Sequence, residues 1–99
     1  MPKLLAPIPP GEILLEEFLK PLEISQNKLA RDIDVPVSRV AGVIAGERSI
    51  TADTALRLAR YFDTTAEFWM NLQSNYDLRV ARQTVWPSIK TNIRARKAA

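Results

Sequence analysis

The sequence predicts an all-α protein with five helices in one domain. Apolar residues recur along most of its 99 residues at spacings of three and four, as on the buried face of an amphipathic helix. No segment shows the two-residue alternation that is typical of a half-buried strand. Capping residues, prolines and a glycine separate the apolar runs and mark where each helix begins and ends.

The first two helices follow from an apolar stripe, a proline and a cap. The inward residues of the first helix are Leu14, Leu15, Phe18, Leu19 and Leu22. Pro21 closes this helix because proline cannot continue the helical hydrogen bonding. Ser25 is a good N-cap for the second helix, whose inward stripe is Leu29, Ala30 and Ile33.

The third and fourth helices are bounded by proline, glycine and threonine. Pro36 disfavours helix in the residue before it and suits a first turn, so the third helix begins at Pro36 or Val37. Gly46 ends it. Thr51 caps the fourth helix and places Asp53 in its first turn, where a negative charge suits the helix dipole. The apolar face of the fourth helix is formed by Leu56, Leu58, Ala59 and Phe62.

The fifth helix spans about residues 66–84, after a cap at Thr64 or Thr65, and Pro87 marks its latest end. It carries more apolar surface than one small core needs, so we expect it to extend toward a dimer interface. The predicted interface residues are Trp69, Leu72, Tyr76 and Val80. The alternative is that these side chains only close the core of the monomer.

The composition argues against an enzyme. The chain has no cysteine and no histidine, which removes disulfides, the usual zinc ligands and the commonest general base. A hydrolase could use Glu16 with Glu17, or Asp32 with Asp34, but adjacent acids on a short helix point apart and nothing positions a nucleophile. We therefore predict no catalytic, cofactor or metal site.

No apolar run approaches the roughly 18 residues that span a bilayer, so no membrane contact is expected. Residues 1–10 lack the charged and apolar regions of a signal peptide, which predicts a cytoplasmic protein.

Charge divides the chain unevenly. Residues 1–77 carry all 11 acidic residues against 8 basic ones, a formal charge of −3, whereas residues 78–99 carry six basic residues and no acid. Such a basic segment suits a polyanion. We predict a domain over residues 1–86 and a basic tail over residues 87–99, for which a disordered, solubilising end is the alternative.

Two short helices at residues 26–33 and 37–45, separated by a tight turn, have the lengths and spacing of a helix-turn-helix. The residues at the positions where this motif needs packing are Leu29, Ala30, Ile33, Val35, Val40 and Val43. Asp34 stands where the turn most often has glycine, and aspartate tolerates a left-handed backbone better than most residues.

The segments 25–30, 35–40 and 51–58, with Gly46, resemble the phage-repressor-like class of helix-turn-helix regulators over about residues 11–64. Beyond them, residues 66–73 and 76–78, together with residues 11–14, are similar to the HigA-type antitoxins, also described as virulence-associated protein I. The resemblance implies the antitoxin of a type II toxin-antitoxin system. Such a protein acts in the cytosol without a cofactor, binds a small basic ribonuclease toxin and represses their shared operon as a dimer.

The residues independently support DNA binding. A helix that reads the major groove needs an outward face with few carboxylates, and residues 35–46 have none. The outward candidates are Pro36, Val37, Ser38, Arg39 and Gly42. Arg39 can fork onto guanine, and Ser38 can bond a base edge or a phosphate. Pro36 and Val37 can meet a thymine methyl, while the small Gly42 allows close approach to the groove wall.

Three further residues are predicted to contact phosphates. Gln26 lies at the amino end of the second helix, where backbone donors help to bind an anion. Arg48 and Ser49 follow the recognition helix. The alternatives are a solvated Arg39 or its ion pair with Asp32 or Asp34, a role for Ser38 that only caps or solvates its helix, and a plain loop charge at Arg48.

A single helix-turn-helix reads few base pairs, so useful discrimination predicts a two-fold dimer on an operator of matching symmetry, with recognition helices about 34 Å apart. Two other functions stay open: a solitary transcriptional regulator, and a helical adaptor that holds a protein and never touches DNA.

Overall fold

Six helices lie within residues 6–97, the part of the chain that the computed structural model describes. Their bounds are α1 (residues 10–22), α2 (Gln26–Asp32), α3 (Val37–Ile44), α4 (Ala52–Phe62), α5 (Ala66–Thr84) and α6 (Trp86–Asn92). No strand occurs in these residues, and the predicted all-α fold is confirmed. The ends of the predicted domain and tail, residues 1–5 and 98–99, lie outside the described part.

The predicted caps are present as hydrogen bonds. The hydroxyls of Ser25 and Thr51 accept from the third backbone N–H of α2 and α4, at 3.0 and 3.3 Å. Thr65, and not Thr64, caps α5 in the same way at 3.1 Å. The hydroxyl of Thr64 instead accepts from the indole Nε1 of Trp69 at 2.8 Å. The three capping bonds satisfy backbone N–H groups that have no partner within their own helix.

Left-handed residues separate the helices. Gly46 follows α3 at φ +78° and ends it, as predicted. Asp34 has φ +60° in the turn between α2 and α3, which confirms the conformation that the sequence predicts there. Glu23 and Asp63 adopt φ of 55° and 56° after α1 and α4, and neither was predicted.

Helix α1 adapts to Pro21 by widening. An α-helical turn, Pro10–Ile13, leads into a π-helical segment, Leu14–Leu19, and a last turn, Lys20–Leu22, ends the helix one residue beyond the proline. Pro21 has no N–H to continue the α-helical ladder. The backbone N–H of Lys20 donates to the carbonyl five residues earlier, which is the hydrogen bond of a π-helix.

The core is built from α1 to α5. Its buried apolar residues are Leu14, Leu19, Leu29, Ala30, Ile33, Val40, Val43, Ile50, Ala55, Leu58, Ala59 and Trp69. Two residues predicted to point inward do not. Leu22 is 57% exposed, because the chain turns away at Glu23 directly after it. Leu56 is 62% exposed, because the buried stripe of α4 runs through its neighbour Ala55 and then Leu58.

The first half of α5 belongs to the core. Trp69 is 0% exposed, and its ring lies 4.9 Å from that of Phe18. The side chain of Gln73 is buried beside it and accepts the backbone N–H of Ile50 at 2.7 Å. The prediction of Trp69 as an interface residue is therefore wrong, because the residue has no surface to offer a partner. The four preceding helices do not complete the core without α5.

Helix α6 occupies the start of the predicted basic tail. Pro87 lies in its first turn, a position that proline favours, and α5 ends at Thr84. Every residue from 82 to 97 is exposed. The division of the chain at residue 86 stays a prediction. Among the helices of residues 6–97, none is long and apolar enough to cross a membrane.

Candidate nucleic-acid interface

Helices α2 and α3 form the predicted helix-turn-helix. Of the six residues expected to pack there, five are buried, and Val35 is half-buried against the core. The backbone N–H of Val35 donates to the carbonyl of Ala30 at 3.0 Å and draws the turn back onto α2. The positive φ of Asp34 lets the chain reverse within this short connection. The first turn of α3 is thereby held on the surface.

Arg57 of α4 braces this turn from behind, which the sequence did not predict. Its Nη1 donates to the carbonyls of Ile33 and Asp34 at 2.8 and 3.2 Å. Its Nε donates to Asp53 at 2.8 Å, and this hydrogen bond is the main reason that the pKa of Arg57 is raised. The side chain of Arg57 thus joins α4 to the backbone carbonyls of the turn.

The first turn of α3 presents an exposed surface without carboxylates. Pro36 is the N-cap, and Val37 and Ser38 follow it, all three exposed. Because Pro36 occupies the cap position and no side chain caps the helix, Ser38 does not have the capping role that was its alternative. In a recognition helix the N-terminal residues contact the base edges, and these three residues occupy that position.

Arg39 lies at the edge of this surface and is ion-paired, but not with the acids that the sequence suggested. Its Nη1 donates to Oδ1 of Asp53 at 2.9 Å, and not to Asp32 or Asp34. Asp53 accepts from Arg57 as well, and the hydrogen bond and charge of Arg57, with a smaller contribution from Arg39, lower the pKa of its carboxyl. Asp53 therefore stays ionised between two guanidinium groups.

Gly42 has a packing role that differs from the predicted approach to DNA. A Cβ at this position would lie 2.8 Å from Cδ of Arg48, so the absent side chain leaves room for the stem of that arginine. The backbone N–H of Arg48 also donates to the carbonyl of Gly42 at 3.0 Å. The loop after α3 is folded back against the helix.

Three of the predicted DNA-contacting residues share one open groove of about 430 Å³. The residues that line it are Arg39, Arg48, Ser49, Thr51, Asp53 and Thr54. Gln26 does not line it and lies half-buried at the start of α2. Asp53 and Arg57 are residues of this site that sequence reasoning missed, although their four-residue spacing on a helix predicts an ion pair.

Exposed apolar surface extends along α5 and α6 beyond the predicted dimer residues. Leu72, Tyr76 and Val80 are only half-buried, so each retains some surface. The larger apolar exposure lies at the end of α5 and on α6. A groove of about 400 Å³ there is lined by Leu78, Ala81, Arg82, Val85, Trp86 and Ile89.

Known proteins resemble this chain over most of its length. The family model described as Helix-turn-helix matches residues 15–69. Virulence-associated protein I of Dichelobacter nodosus is 51% identical over 76 residues, which are 77% of this chain and 70% of that protein. The matched part spans 64% of three HTH-type transcriptional regulators of Escherichia coli and Haemophilus influenzae.

Solved structures cover the chain more fully. The Pseudomonas aeruginosa antitoxin HigA, solved with the higBA promoter, superposes with a TM-score of 0.86 at 48% identity, over 89% of this chain and 96% of that one. The antitoxin GraA, solved in complex with its operator, gives a TM-score of 0.89 at 40% identity, over 99% of both chains. The likeness therefore extends beyond the helix-turn-helix.

Proposed function

Because the chain belongs to the helix-turn-helix family and, within it, to the HigA-type antitoxins, we propose that it represses its own operon by binding operator DNA. The observation that carries this proposal is the exposed first turn of α3, free of carboxylates and flanked by the groove of Arg39 and Arg48. The promoter and operator in the two similar complexes support it.

We assign each residue of the surface a DNA contact from the chemistry of its side chain. Arg39 pairs with guanine, and Ser38 bonds a base edge or a phosphate. Pro36 and Val37 contact thymine methyl groups. The residues that hold the phosphate backbone are Gln26, Arg48 and Ser49.

The protein acts as a dimer in this proposal, because two recognition helices about 34 Å apart read an operator of two-fold symmetry. Leu72, Tyr76 and Val80 remain in the proposed interface, which continues onto the apolar groove of α5 and α6. The family also suggests a cytoplasmic partner, a small basic ribonuclease toxin that the antitoxin binds without a cofactor.

Arg39→Ala tests the DNA contact. The operator is first selected from a pool of random duplexes by the wild-type protein, and a scrambled duplex of equal composition is the reference. We expect Arg39→Ala to lose about 1 to 3 kcal/mol on the selected duplex and little on the scrambled one. Arg48→Ala should weaken both duplexes more evenly, because a phosphate contact is independent of sequence.

The matched control is Arg60→Ala, since Arg60 is an exposed arginine of α4 that does not line the groove. Wild-type binding of Arg39→Ala to both duplexes would contradict the assigned recognition surface. A wild-type protein that shifts no duplex at all would favour the adaptor, and one that binds DNA but no toxin would be a solitary regulator.

A further inference from the structure

The groove at the recognition helix contains an acid, Asp53, in contact with the arginine that faces DNA. The Oδ1 atom of Asp53 lies 2.9 Å from Nη1 of Arg39 and 2.8 Å from Nε of Arg57. A carboxylate beside a DNA surface repels phosphates. It therefore needs an explanation within a protein that binds DNA.

Asp53 is itself held in place. It lies one turn before Arg57 on α4, and the guanidinium of Arg57 is fixed by the carbonyls of Ile33 and Asp34 in the turn. A chain of hydrogen bonds thus runs from the turn through Arg57 and Asp53 to Arg39. Its last member is the side chain that faces the DNA.

This arrangement has two consequences for Arg39. A guanidinium has five N–H donors, and the bond to Asp53 engages one on Nη1, which leaves enough for a bidentate pair with guanine while restricting rotation of the group. The negative charge of Asp53 also offsets the positive charge of Arg39. Attraction to any phosphate depends on that charge, whereas recognition of guanine depends on the orientation of the donors.

We propose that Asp53 is a positioning residue that acts through Arg39 to raise sequence discrimination, by orienting the guanidinium for a base and weakening its attraction to phosphate. The inference rests on the proposed operator binding. The competing explanation is that the pair only joins α3 to α4. The two side chains are 35% and 59% exposed, and an ion pair so exposed contributes little to the stability of the fold. Stabilisation therefore does not explain why the pair is present.

A double-mutant cycle tests the proposal. Asp53→Ala is made in the wild-type protein and in Arg39→Ala, and the affinities for the selected and scrambled duplexes are measured against salt concentration. In the wild-type background, Asp53→Ala should lower the ratio of selected to scrambled affinity by about fivefold to tenfold. Most of this change should come from tighter binding to the scrambled duplex, with a salt slope steeper by up to about 1.

Two further variants separate charge from orientation. Asp53→Asn keeps a hydrogen-bond acceptor and loses the charge, so it should bind the scrambled duplex more tightly and yet lose less discrimination than Asp53→Ala. Glu47→Ala is the matched control, because it removes an exposed acid next to Arg48 that does not line the groove of Arg39. Glu47→Ala should change the affinities for the selected and scrambled duplexes by the same factor. Helical circular dichroism confirms that each variant is folded under the binding conditions.

The cycle gives a clear result either way. In the Arg39→Ala background, Asp53→Ala should leave the affinity ratio unchanged, because the residue through which it acts is absent. An equal fall of the ratio in both backgrounds, or no fall in the wild-type background, would overturn the proposal while operator binding stands. A wild-type protein that selects no sequence from the random pool would overturn the proposed function and this inference together.

Discussion

Single glycines determine how closely the recognition helix approaches its neighbours. Gly11 is buried where α1 crosses α3, and a Cβ there would lie 2.0 Å from the carbonyl oxygen of Val43. The obstacle is backbone, which cannot rotate away. At Gly42 the nearest atoms belong instead to the flexible side chain of Arg48, at 2.8 Å. Gly11 therefore allows two helix backbones to approach each other, whereas Gly42 leaves room for a side chain.

Gly11→Ala should destabilise the fold strongly. We expect a loss of about 3 kcal/mol in the free energy of unfolding, at the upper end for overpacking, because α1 must move away from α3. Gly42→Ala is the control and should stay within about 1 kcal/mol of wild type, since alanine favours a helix and Arg48 can shift. Urea unfolding followed by circular dichroism measures both. A Gly11→Ala protein with the same free energy of unfolding as wild type would show that α1 and α3 can move apart without loss of stability.

At the scale of elements, the two halves of α5 differ in burial. Its first half closes the core through Trp69 and holds the loop before α4 through the bond from Ile50 to Gln73. Its second half and α6 expose apolar side chains around the groove of Leu78 and Trp86. A helix that is buried at one end and apolar on its surface at the other is typical of a protein that associates through the exposed end.

Trp86→Glu should disrupt the proposed dimer without unfolding the chain. Trp86 is 48% exposed, so helicity should persist, while a charge in the apolar interface should weaken association by about 2 kcal/mol or more. Leu22→Glu is the matched control, because it places the same charge at an exposed leucine of α1. Sedimentation equilibrium at tens of micromolar measures the result. A monomeric wild type, or a Trp86→Glu protein that dimerises normally, would contradict the interface.

At the scale of the whole molecule, charge and architecture divide the chain in the same way. Residues 1–77, which include α1 to α4 and the core half of α5, carry a formal charge of −3. The six basic residues that follow lie beyond the core, from the second half of α5 onward. An acidic body can attract a basic protein even though the chain as a whole has a formal charge of +3.

Co-expression with the product of the neighbouring gene tests the proposed toxin contact. If that product is a small basic ribonuclease, we expect the two proteins to purify together and RNA cleavage to be suppressed. Because opposite charges steer the encounter, the association rate should fall about tenfold or more between low salt and about 500 mM salt. Failure to associate at any salt concentration would leave a solitary regulator.

Local interactions determined what could be predicted from the sequence. Apolar periodicity and the caps at Ser25 and Thr51 predicted five of the six helices, and the turn chemistry of Asp34 predicted its left-handed backbone. These features depend on hydrogen bonds and spacings within a few residues. The helix-turn-helix was predictable for the same reason, since its packing residues lie within one short segment.

Only the tertiary structure decided which distant residues meet. The pairing of Arg39 with Asp53 spans 14 positions, and the bond from Ile50 to Gln73 spans 23. Local spacing does not specify such partners, so the nearer Asp32 and Asp34 were the candidates from sequence. Trp69 likewise fits a core or an interface by periodicity alone. It is buried here because α5 packs across α1 and brings the indole against Phe18, which no pattern within α5 encodes.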